Sequence, residues 1–128
     1  MQNQAAEAYA RTKKSTASPR ELEATLLSKA AGRLQAVRDD WEARRGELDA
    51  ALAFNRKLWT VFVGSVTRAE NPLPKDLKQN VANLGLFVFN QTMGIIAEPD
   101  PAKLGALISI NQLLAEGLRA PVDARAAS

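Results

Sequence analysis

Asp39, Asp40 and Glu42 form the acidic cluster of this 128-residue chain. Converging carboxylates can act as an acid and base pair or hold a divalent cation. Neighbours in sequence point apart on a helix, however, so these three converge on nothing without help from another element. A solvated face is the expectation. Histidine and cysteine are both absent. Their loss removes the commonest general base, the thiolate nucleophile, zinc knuckles and iron–sulfur ligation. Neither a phosphate-cradling glycine loop nor a serine nucleophile elbow is present. The residues therefore point to a non-enzymatic protein with no metal or cofactor, and with no catalytic residue to assign.

Binding chemistry is better represented. Asn55, Asn83, Asn90 and Asn111 fall on or beside apolar stripes. A buried amide without partners costs about 1–3 kcal/mol, so each needs a neighbouring helix, water or a partner chain. The amides either bond internally or fix the register of an incoming helix. Trp59, Phe62, Phe87 and Phe89 pose the same choice, since large aromatics serve both cores and interface hot spots. Trp59 and Phe62 are expected in the core. The block from Ala51 to Phe89, where aromatics and asparagines are densest, reads as a surface for another protein.

Four helices must position these groups. Ser18-Pro19-Arg20-Glu21 is a capping box with proline at the first helical position. Leu22, Leu26, Ala30, Leu34, Val37 and Trp41 then recur at helical spacing, predicting an amphipathic helix to about Arg45. Gly46 marks its end or a kink. Leu48, Leu52, Asn55, Leu58, Trp59, Phe62 and Val66 give a second helix. The prolines of Asn71-Pro72-Leu73-Pro74 stop it in a rigid joint. From Lys75, Leu77, Val81, Leu84, Val88 and Ile95 describe one face, while Leu86, Phe89, Met93 and Ile96 populate others. A helix apolar nearly all round is expected at the centre of a bundle, with Gly85 and Gly94 allowing close backbone approach on opposite faces. Pro99-Asp100-Pro101 opens a last helix through Leu104, Leu107, Ile108, Leu114 and Leu118. The fold class is an all-α compact bundle of four main helices, with room for a short additional N-terminal helix before Thr12.

Length and composition agree with one such domain: 46% of residues are hydrophobic and 24% charged, far from the regime of disorder. The divisions expected are a basic, partly ordered segment 1–17, a helical bundle 18–119 and a flexible tail 120–128. No apolar run approaches the ~20 residues needed to cross a bilayer, and no secretory leader opens the chain, so the cytoplasm is the expected location. The net charge of +3 gathers partly in Arg11, Lys13, Lys14 and Arg20. One short basic tail is a weak nucleic-acid footprint.

The segments SPRELEA (18–24), ALAFNRKLWTVF (51–62), NPLPKDLKQNVANLGLFVF (71–89) and LISINQLLAEGL (107–118), in this order, resemble the FlaF family of alphaproteobacterial flagellar systems. The resemblance spans about Ala5 to Leu118. It implies a small cytoplasmic regulator that promotes flagellin production and export. Such a protein acts opposite the flagellin repressor FlbT and associates with flagellin as a chaperone. The positions matching the family pattern are Asn55, Arg56, Leu58 and Trp59, then Asn71, Pro72, Leu73 and Pro74, then Asn83, Leu84 and Gly85. Flagellin's terminal helices are amphipathic, and capture against the helices containing Trp59 and Leu84 is the expected mode. Asn55, Arg56, Trp59, Asn83, Leu84 and Phe87 are the partner-binding candidates. Two alternatives have other chemistry: an adaptor acting through FlbT without binding flagellin, and a direct binder of flagellin messenger RNA through Arg11, Lys13 and Lys14.

Overall fold

Small side chains decide how the helices come together. The computed structural model describes residues 19–120, so the basic segment 1–17, the Ser18 cap, the short helix expected before Thr12 and the tail from residue 121 lie outside the described residues. The first helix, α1 (Pro19–Asp39), buries Ala24, Leu27, Ala30, Ala31, Leu34 and Val37. Three alanines on that face let the last helix, α5 (Leu104–Arg119), approach closely, and this is the most extensive helix pair in the fold. Between them come the one-turn α2 (Trp41–Arg44), then α3 (Leu48–Val66) and α4 (Lys75–Ala97). No strand occurs among the described residues. The all-α bundle of four main helices is the observed architecture.

Most of the core comes from α1, α3 and α5, and Val81, Val88 and Ile95 of α4 join it. Trp59 is fully enclosed, and Phe62 meets its ring edge-on at 5.8 Å between centroids. Both are core residues, as expected. The two proline joints hold their shape through specific bonds. Asn71 Nδ2 donates to the Ser65 carbonyl at 3.2 Å while its Oδ1 accepts from the Leu73 amide at 3.0 Å. Asp100 caps the turn Pro101–Lys103, accepting from the Ala102 amide at 2.9 Å.

Two expectations about the helices need correction. The first helix stops at Asp39 rather than near Arg45, because Asp40 leaves helical geometry at φ −131° and ψ 53°. The break turns Trp41 onto the core, where the Arg45 guanidinium lies 5.5 Å from its ring. Gly46 then sits within the 3₁₀ turn Arg45–Glu47. The second correction concerns α4, which is peripheral instead of central. It packs chiefly on α3, through the narrow row Val81, Gly85, Val88, Thr92 and Ile95. The other three helices supply the rest of the core, so only that row of α4 is fully enclosed and its other apolar side chains are half-buried or exposed.

Of its two glycines, only Gly85 permits close approach. A Cβ there would lie 2.5 Å from Val63 Cγ2, whereas one at Gly94 would meet nothing within 4 Å. Gly94→Ala is accordingly expected to stabilise the protein by about 0.5–1 kcal/mol through helix propensity. Gly85→Ala gains the same term but meets overpacking of about 1–3 kcal/mol. The sign should turn favourable when Val63→Ala opens the space. Urea unfolding of the four variants checks this, and equal effects at Gly85 and Gly94 would contradict it.

Candidate functional site

Asn55 and Trp59 lie in the core at 0% exposure, so neither offers a surface to a partner, and both leave the set of partner-binding candidates. The physical reason is a bonded chain of polar groups across three helices. Trp59 Nε1 donates to Asn111 Oδ1 at 2.9 Å, and Asn111 Nδ2 donates to Asn55 Oδ1 at 2.7 Å and to the Leu27 carbonyl at 3.4 Å. The indole can only donate, which fixes the orientation of the Asn111 amide and, through it, that of Asn55. Asn55 Nδ2 is left buried without a hydrogen-bond partner among the described residues. Asn111, not among the binding candidates, is the centre of this network.

The other four candidates are accessible, but they divide. Asn83 and Phe87 are exposed on α4 and Leu84 is half-buried beside them. Asn83 accepts from Gln79 Nε2 one turn earlier, at 3.1 Å. Arg56 projects from α3 into a groove of about 240 Å³ that it shares with Asp49, Leu52, Ala53, Thr92, Met93 and Ile96. At about 100° per residue, Asn83 and Asn90 occupy the outermost line of α4, with Leu84 and Phe87 to one side and Leu86, Met93 and Ile96 to the other. Arg56 therefore stands across α4 from Asn83, Leu84 and Phe87.

Sequence reasoning passed over the residues that give this surface its character. Leu86 is 61% exposed, Met93 62% and Ile96 51%. Leu86 and Met93, seven residues apart, fall within about 20° of each other, and Ile96 follows toward the groove. The signal was available as apolar residues lying off the main stripe of α4. Isolated exposed leucines are ordinary, whereas these three apolar side chains form a row and two of them, Met93 and Ile96, line the groove. Arg56 makes no ion pair with a carboxylate among the described residues, so its guanidinium and the nearby Asp49 can meet charges flanking an apolar strip.

Titration adds one effect away from this face. Burial pushes the Glu23 carboxyl above its ordinary value, and the nearby Arg20 charge partly opposes the rise. The folded state thus holds the Glu23 proton more tightly than the unfolded chain does. Its contribution to stability is present below the ordinary value and is lost as pH rises through the raised one. Glu23→Gln is expected to flatten the pH dependence of stability across that mildly acidic window and to raise the melting temperature at neutral pH. Denaturant titrations between about pH 4 and 7 check it, and an unchanged slope would contradict it.

Among the described residues, no group of three acidic, histidine or cysteine side chains could hold a metal ion. Asp39 pairs instead with Arg38 at 3.0 Å, and Asp40 lies 3.9 Å from Arg44. No described helix is long and apolar enough to cross a membrane. Comparison with curated proteins and with solved structures returns no match. The sequence profile of the flagellar protein FlaF matches residues 5–118, nearly the whole length, and the chain belongs to that flagellar protein family.

Proposed function

We propose that this protein is a non-enzymatic, cytoplasmic factor in flagellum biogenesis that promotes flagellin synthesis and export by binding flagellin as a secretion chaperone. The observation that carries this reading is the outward apolar row of Leu86, Met93 and Ile96 beside the groove rimmed by Arg56 and Asp49. Flagellin's terminal helices are amphipathic and polymerise with one another. A chaperone must cover their apolar stripe until export, and an amphipathic helix laid against α4 and α3 would do so. Met93 suits such a surface because its flexible thioether adapts to different apolar neighbours. The capture face moves accordingly from Trp59 and Leu84 to Leu86, Met93 and Ile96, with Arg56 retained at the rim.

Calorimetric titration of purified flagellin monomer into the protein tests the reading. One-to-one binding that tolerates moderate salt and has a negative heat-capacity change is the expected result. No heat and no complex would overturn it. Binding to FlbT alone would then favour the adaptor, and binding to flagellin messenger that falls steeply with salt would favour the RNA reading.

A further inference from the structure

The four asparagines beside the apolar stripes have different fates in the fold. Asn55 and Asn111 bond to each other in the core, whereas Asn83 and Asn90 lie exposed on the outermost line of α4. Asn83 accepts from Gln79 Nε2 and leaves its own Nδ2 without a protein partner, and Asn90 makes no side-chain hydrogen bond among the described residues. We propose that these two amides set the register of the helix bound on α4, by hydrogen-bonding to two polar side chains seven residues apart in that helix's apolar stripe, an inference that rests on the reading of this face as the one that holds flagellin.

Spacing points to a seam. Asn83, Leu86, Asn90 and Met93 are all exposed and follow one another at intervals of three, four and three residues, the repeat along which one helix meets another. At about 100° per residue the two asparagines fall within about 20° of each other, with Leu86 and Met93 about 60° round toward the groove of Arg56. A helix laid on Leu86 and Met93 therefore covers the amides as well. A covered amide without a partner is costly, so a helix offering polar groups at matching positions is held while one displaced along α4 is disfavoured. Polar residues in such a seam lower affinity and single out one register.

Charge narrows the occupant. No charged residue lies between Lys78 and Glu98 on α4, while Arg56 and Asp49 line the groove beside the seam and make no ion pair among the described residues. A second copy presenting its own α4 brings no charge to either. An amphipathic helix, with charges flanking its apolar stripe, answers both.

The chain has no cysteine, so a spin label at Ser109→Cys, exposed on α5 away from this face, is unique. Pulsed electron paramagnetic resonance then measures its distance to a second label at one position of flagellin's terminal helix. The parent complex should give one narrow distance. With Asn83→Leu and Asn90→Leu together, binding should be as tight or up to about tenfold tighter. A second distance should appear, from a helix displaced along α4 by up to about 10 Å, which is seven residues at 1.5 Å each. Asn83→Ala with Asn90→Ala should also bring out the second distance, without adding a large apolar side chain. A single unchanged distance in either variant overturns the register role and leaves flagellin capture standing. No complex with the parent removes capture itself, and the proposal with it. A parent that light scattering shows to be a dimer, and that the alanine variant turns into a monomer, would assign the amides to self-association and overturn the proposal as well.

Discussion

Asn111→Ala is expected to destabilise the protein by about 2–5 kcal/mol, a large share of the 5–15 kcal/mol that holds a domain together. The substitution strands Trp59 Nε1 and Asn55 Oδ1, both in the core and both satisfied by Asn111. Each orphaned group costs about 1–3 kcal/mol. Asn55 Nδ2 already has no partner among the described residues, so Asn55 would be left without a side-chain hydrogen bond. Adding Asn55→Leu removes that stranded amide, and the double variant should lose less than the two single losses combined. Urea unfolding measures all three. Additive effects, or a loss at Asn111 below about 1 kcal/mol, would show that the amides act separately.

The second expected result concerns binding. Leu86→Asp with Met93→Asp should weaken flagellin affinity by about 10²–10⁴-fold, from about 1.5–3 kcal/mol of lost burial per side chain. Stability should scarcely move, because both side chains are more than half exposed in the free protein. Titration and unfolding on the same preparation separate the two effects. Affinity within threefold of the parent would mean that this face is not where flagellin is held.

Which parts of this arrangement the sequence disclosed follows from what periodicity measures. Proline and capping signals act locally, and the joints at Asn71–Pro74 and Pro99–Pro101 form where they were expected. The stop at Asp40 was not legible, since no proline or glycine marks it and Trp41 continues the apolar stripe in the sequence, whereas the chain leaves helical geometry at Asp40 with Trp41 packed against the core. Spacing also placed Asn55 and Asn111 on apolar stripes, yet it could not say that three helices would bring them within 2.7 Å. A polar residue on a stripe reads alike whether its partner is internal or incoming. The peripheral position of α4 was hidden for a related reason. Its apolar residues on several faces suit a central helix, and only the share of the core taken by α1, α3 and α5 turns part of that apolarity outward. Burial thus removes Asn55 and Trp59 from the candidate surface, while Arg56, Asn83, Leu84 and Phe87 stay accessible on α3 and α4.

Methionine makes the decisive observation simple. The chain contains two, Met1 and Met93, so a methyl-labelled methionine spectrum carries one signal from the row on α4. Adding flagellin monomer should shift and broaden the Met93 signal in step with complex formation, equally in low and moderate salt. A complex that forms while the Met93 signal stays unmoved, or no complex at all, would contradict capture of flagellin on this face.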